Sequence, residues 1–197
     1  SMRRDASLLR PTADRMKPTP ARDRLRLIVT GLLLLVLALA LSSRRATDPG
    51  FSTSGSGMAV ANWLGLPGAW VADVALMLFG FSAWWLVVVG VRWWLVALAK
   101  LLRAGVDGAV LPRRDWSAAR MGIGLLLLMC ASAALEWTRL YGWETRLPGP
   151  AGGVLGYGLG PLSMRWLGFA GSGALWIAVL GASLASALQF SWVKLAD

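Results

Sequence analysis

Leu27 to Ser43 reads LIVTGLLLLVLALALSS, a run without one charged side chain. A bilayer core of about 30 Å needs about 20 mostly apolar residues in a helix, so this run predicts a membrane span. Working outward, three more follow: Gly68 to Val91, Met121 to Trp137 and Gly168 to Phe190. The chain therefore reads as an all-α, polytopic membrane protein with four transmembrane helices. A basic N-terminal arm occupies 1–26, the four-helix domain 27–192, and a short tail 193–197. Ser1 before Met2 reads as a residue left by cloning.

Basic residues predict orientation, because Lys and Arg are retained on the cytoplasmic side while Asp and Glu matter little. The arm holds eight: Arg3, Arg4, Arg10, Arg15, Lys17, Arg22, Arg24 and Arg26. The second loop contributes Arg92, Lys100, Arg103, Arg113, Arg114 and Arg120, and the tail Lys194. By contrast, the first loop has Arg44 and Arg45, and the third Arg139, Arg146 and Arg165. Fifteen of twenty thus fall on one side, which predicts both termini in the cytoplasm and an inner-membrane location.

Composition agrees with this class. At 56% hydrophobic over 197 residues, the sequence has too few polar side chains to cover a soluble core of that size. The net charge of +10 sits beside the predicted helix ends, where it serves orientation and contact with anionic lipid rather than binding of nucleic acid. A cleaved signal peptide is the rival reading of the first span, but its leading arm is long for one and three spans follow. Most of the tryptophans, including Trp63, Trp70, Trp93, Trp94, Trp143 and Trp166, fall near span ends as headgroup-level indoles do. Trp84, Trp85 and Trp176 sit deeper, for packing.

Chemistry is sparse. Without histidine, imidazole bases, triads and histidine metal sites are excluded, and the one cysteine, Cys130, makes neither a thiolate zinc site nor an internal disulfide. No Gly-Lys-Ser/Thr step is present to cradle a nucleotide phosphate. No catalytic, cofactor-binding or metal residue is therefore assigned. Ionisable groups inside spans are costly and usually functional. Asp73, near the start of the second span behind Pro67-Gly68, is expected to cap a helix or pair with a neighbouring helix or loop. Glu136 is expected to reach the headgroups, towards Arg139 three residues on.

The fourth span carries a stripe of small residues, Ala174, Ala178, Ala182 and Ser186, with Gly181 and Ala185 beside it. Such stripes let helices approach closely in lipid; of this one and the smaller cluster Cys130 to Ala134, one is expected to serve packing of the four helices within the chain and the other self-association. Leu147 to Gly153 (LPGPAGG) breaks any helix. Val154 to Trp166 is apolar enough to lie in the interface or fill a gap between spans, although Gly156, Gly158 and Gly160 weaken a helix there.

The loop motifs, taken in order, carry a resemblance. Asp48-Pro49-Gly50-Phe51 precedes Asn62-Trp63-Leu64-Gly65-Leu66-Pro67-Gly68-Ala69-Trp70-Val71-Ala72-Asp73, then Phe79-Gly80, Gly152-Gly153-Val154-Leu155-Gly156 and Phe190-Ser191-Trp192. In this order and spacing, from about Arg24 to Asp197, they resemble the four-span N-terminal domain of FtsK/SpoIIIE-type DNA translocases. Gly50-Phe51 departs from the Ser-Trp more usual there. The resemblance implies a membrane anchor and oligomerisation domain at the bacterial division septum. Asp48, Pro49, Asn62, Gly65 and Gly68 then form a periplasmic motif, and septal cell-division proteins are partners alongside the lipid bilayer. It also implies a homo-oligomer, hexameric in the family. A cytoplasmic linker starting in 193–197 leads to an ATP-driven motor absent from this chain, and DNA is touched only through that motor. Two other classes stay open: a subunit of a multi-copy pore or transporter, and a plain membrane scaffold for division proteins.

Overall fold

In the computed structural model, residues 20–107 and 118–188 are described, and among them every regular element is helical. The helices are α1 (Pro20–Ser42), α2 (Gly65–Phe79), α3 (Trp84–Asp107), α4 (Ala118–Arg139) and α5 (Gly153–Leu188), with 3-10 turns at Gly80–Ala83 and Tyr141–Arg146. Four stretches are long and apolar enough to span a membrane: Ala21–Ser42, Gly65–Arg103, Ala118–Arg139 and Gly153–Leu188. Several helices outrun the apolar runs that announce them. In α1, Pro20 opens the helix where its missing N–H costs nothing, and the helix then passes through Arg22, Arg24 and Arg26 before reaching the apolar run. Phe190 lies outside the described residues.

Two long stretches are broken, each at a glycine with positive φ. Gly80 (φ 60°, ψ −149°) separates α2 from α3, and Gly168 (φ 66°, ψ −175°) divides α5. Only glycine adopts these angles readily. The bend at Gly168 is sharp: the Trp176 indole donates to Ser163 Oγ at 3.0 Å, although 13 residues of straight helix would hold those Cα atoms about 20 Å apart. Residues 153–167 and 169–188 are therefore two arms folded against each other.

The first arm is helical despite Gly156, Gly158 and Gly160, contrary to the expectation that these glycines weaken it. Tertiary packing overrides propensity here: a Cβ at Gly156 would lie 2.5 Å from the Ala133 carbonyl oxygen, and one at Gly160 would strike the Trp137 ring. The arm thus docks on the end of α4.

Indoles hold the helices together at the opposite end. Trp94 Nε1 donates to the Leu27 carbonyl (2.8 Å) and Trp93 Nε1 to the Ala187 carbonyl (2.7 Å), while Gly124 of α4 abuts Ser186 and Ala187. The beginning of α1, the middle of α3, the beginning of α4 and the end of α5 therefore meet towards one end of the bundle. Both indole protons satisfy backbone carbonyls inside the protein, not headgroups. Deeper, Trp85 Nε1 donates to Ser132 Oγ at 3.1 Å.

Two small cores fill the interior. Ala40, Leu41, Ala72, Leu76, Ala83 and Val87 join α1, α2 and α3; Val89, Leu128 and Ala187 join α3, α4 and α5. Large side chains such as Leu32, Leu33, Ile123, Leu126 and Ile177 remain exposed, as on a surface solvated by hydrocarbon.

Candidate functional site

Phe190-Ser191-Trp192 lies outside the described residues; the remaining motifs that carry the resemblance gather at the other end of the bundle, around the buried carboxyl groups of Asp48, Asp73 and Glu136. The first group is assembled by the loop between α1 and α2. Asn62, buried, donates from Nδ2 to the Ala40 carbonyl (3.0 Å) and accepts the Leu64 N–H on Oδ1 (3.1 Å), so it closes the last turn of α1 and shapes the entry to α2. Gly65 (φ 67°) follows, its N–H bonded to the Asn62 carbonyl, and Gly68 presses on the Asn62 amide, leaving no room for a side chain. Ser43 Oγ accepts the Trp63 N–H at 3.2 Å. Asp48 Oδ1 accepts the Ala61 N–H at 2.7 Å and pins the loop's two strands of chain together, with Pro49 and Gly50 turning between them.

Asp73, in α2 beneath this loop, is 4% exposed. Its Oδ2 accepts the Ser52 N–H at 2.7 Å and its Oδ1 lies 3.9 Å from the Arg44 guanidinium. Arg44 donates through its other nitrogen to the Arg146 carbonyl at 2.8 Å, which ties the first loop to the third. Burial draws the Arg44 pKa below the ordinary arginine value, and the carboxylates of Asp73 and then Asp48 oppose the shift. Gly50 explains its own identity. A Cβ there would sit 2.7 Å from Asp73 Cγ. Phe51 keeps an aromatic contact, edge-on to Trp70 with centroids 6.1 Å apart.

The second group centres on Glu136, and here the sequence reading is corrected. Glu136 does not reach outward to Arg139; it is 5% exposed and turned into the protein. Its Oε2 accepts the N–H groups of Phe81 (2.9 Å) and Gly152 (3.2 Å), and its Oε1 accepts the Ser82 hydroxyl. One side chain thereby satisfies donors from the Gly80 break and from the Gly152 turn that leads into α5, where interrupted helices leave N–H groups that lipid cannot serve. The backbones must come very close to do this. A Cβ at Gly80 would be 2.6 Å from Gly152 Cα, and one at Gly153 would be 2.5 Å from the Leu78 carbonyl carbon. Arg139 points elsewhere, donating to the Phe169 carbonyl and stacking over that ring. A signal was present in the sequence: the Phe79-Gly80 and Gly152-Gly153 motifs are the turns this carboxyl holds.

The small-residue surfaces divide. Ala131, Ala133 and Ala134 of the α4 cluster are fully buried inside the bundle. On α5, Ala174, Ala178 and Ala182 face outward, while Gly181, Ala185 and Ser186 are half-buried and Ser186 Oγ approaches the Arg120 carbonyl at 3.4 Å. Packing on α4 uses Ser186 of the stripe itself, against Gly124, together with the adjacent Ala187. Among the described residues no group of three or more His, Cys, Asp or Glu side chains is placed to hold a metal ion.

A helical, multi-pass membrane domain whose polar residues serve to hold its own loops defines the class of protein. The chain belongs to the family described as the 4TM region of DNA translocase FtsK/SpoIIIE, whose model matches residues 22–197. It is 35% identical over 174 residues to DNA translocase FtsK 2 of Ralstonia nicotianae, covering 86% of this chain and 22% of that protein. It is 34% identical over 173 residues to DNA translocase FtsK of Pseudomonas syringae pv. tomato (87% and 21%), and 35% identical over 162 residues to DNA translocase FtsK 1 of Neisseria meningitidis serogroup B (81% and 19%). The chain thus spans about a fifth of the length of these relatives, in their membrane region. No solved structure matches it.

Proposed function

We propose that this domain anchors a DNA-pumping ATPase at the division septum, with both of its ends in the cytoplasm. The observation that carries the reading is the convergence of α1's beginning and α5's end at one end of the bundle, where Trp94 meets Leu27 and Trp93 meets Ala187. Most of the basic residues flank that same end in sequence, which favours it as the cytoplasmic one. A motor following α5 would then work on the side where the chromosome lies. Confinement to a small membrane zone raises its effective concentration on trapped DNA without any new contact.

Topology is the test. A fluorescent reporter fused after Asp197 should be active in the cytoplasm, and a cysteine at Ser54→Cys should react with an impermeant maleimide added outside; the opposite pattern removes the reading. A fusion spread evenly around the membrane during division would leave the anchor but remove the septal assignment.

The exposed Ala174, Ala178 and Ala182 of α5 support a reading in which copies of the domain self-associate through this helix. Replacing Ala178 and Ala182 together with leucine should lower the oligomer mass in nanodiscs, because two isobutyl groups hold a partner helix beyond the close approach that small residues allow. An unchanged mass excludes this surface. A docking role for septal proteins draws support from the loop end, where Trp63, Tyr141 and Trp166 are 72%, 70% and 78% exposed.

A further inference from the structure

A groove of about 580 Å³ runs between α1 and α3 at the end where the indoles clamp the helices. Its walls are apolar, built from Leu27, Leu34, Trp93, Trp94 and Ala97, and its depth comes from Gly90, against which Leu34 packs directly. The charged groups all lie towards one end, Arg26, Lys100 and Asp23, with the Thr30 hydroxyl one turn further in. Asp23 lies 3.8 Å from Arg26, so the mouth keeps one net positive charge. The size is that of a small-molecule site, which falls at roughly 300–1,000 Å³.

Two features of this groove select an occupant. Along α1 it extends from Asp23 to Leu34, a rise of about 16 Å at 1.5 Å per residue, close to half of the ~30 Å hydrocarbon core. An apolar channel one leaflet deep with cations at its rim matches a single phospholipid, chains along the helices and phosphate at the mouth. Its charge selects an anionic headgroup. A second copy of the chain fits less well, since it would bring its own surplus of cations to the same rim. A free phosphate would leave the apolar walls unused.

We infer that the α1–α3 groove is a binding site for one anionic phospholipid of the leaflet at that end, held by Arg26 and Lys100. This rests on the membrane character of the chain and not on the anchor reading, so the two fail separately. Lipid bound there would complete the contact of α1, the helix least covered by the rest of the protein.

The test uses the full chain in detergent, exchanged with phosphatidylglycerol or phosphatidylcholine of equal chain length, with retained lipid counted by native mass spectrometry. One phosphatidylglycerol should be retained in preference. Arg26→Gln with Lys100→Gln should weaken that preference about tenfold or more, each cation near a lipid surface being worth roughly fivefold. The control Arg92→Gln with Arg103→Gln, which removes the same charge from α3 outside the groove lining, should leave it. Ala97→Trp, filling an exposed wall of the groove, should reduce retention of either lipid, and a circular dichroism melt checks that each variant is folded. Equal retention of both lipids, equal effects of the two double variants, or a dimer mass that replaces the lipid adduct would each overturn the site.

Discussion

Asp73 and Glu136 are two carboxyl groups buried to nearly the same degree at the same end of one apolar bundle, and they are satisfied by different means. Asp73 has one backbone N–H and a cation, Arg44, at the long distance of 3.9 Å. Glu136 has three hydrogen-bond donors, from Phe81, Ser82 and Gly152. The difference lies in what each must hold. Asp73 fastens a loop onto a helix, where a single strong attraction and one amide suffice. Glu136 instead replaces helix hydrogen bonds lost at two chain breaks, a task for an acceptor with two oxygens rather than for a charge.

Removing each side chain separates these roles. Glu136→Ala should have the largest effect, about 3–5 kcal/mol. Three donors lose their acceptor, at roughly 1–3 kcal/mol each in principle, moderated because the unfolded chain in a membrane also finds partners. The expected readout is an earlier transition when the protein is titrated with SDS in mixed micelles and followed by circular dichroism. A loss below about 1 kcal/mol would mean that the breaks at Gly80 and Gly152 are held by packing alone.

Asp73→Ala ranks next, at about 2–3 kcal/mol. Deleting one partner of a fully buried ion pair costs about 3–5 kcal/mol, but here the contact is long and Arg44 keeps its bond to the Arg146 carbonyl. A double-mutant cycle with Arg44→Ala should return a coupling of about 1 kcal/mol or more in the same titration. Additive effects would show that Asp73 acts through the Ser52 N–H only.

The helical class, and the number of stretches able to cross a bilayer, were legible because both depend on local runs of apolar residues. The expected place of Asp73 near a helix start was not met: α2 begins at Gly65, ahead of Pro67-Gly68, and Asp73 is the ninth of its fifteen residues, so it caps nothing and instead pairs with the loop. Its partners were not legible, since Arg44 and Ser52 come from a loop whose path depends on contacts up to 29 residues apart in sequence. Glu136 was misread because position near a span end suggests escape to water, whereas the chain returns over that end and covers it. The break at Gly168 was hidden likewise. A glycine in an apolar run looks the same whether the helix passes straight through or turns back, and the Ser163–Trp176 bond that distinguishes the two is a tertiary contact.

The smallest predicted effect is the most discriminating. Replacing each carboxylate by its amide keeps shape and removes only charge. In Glu136→Gln the amide oxygen can still accept from Phe81 and Gly152 while the new NH2 donates to Ser82 Oγ, which can accept as readily as donate. The loss should stay below about 1 kcal/mol. In Asp73→Asn the oxygen can keep the Ser52 N–H, but an NH2 then faces the guanidinium, two donors opposed, so the loss should be about 1–2 kcal/mol. An amide at 136 that costs more than one at 73 would reverse the assignment and make Glu136 the residue whose charge matters.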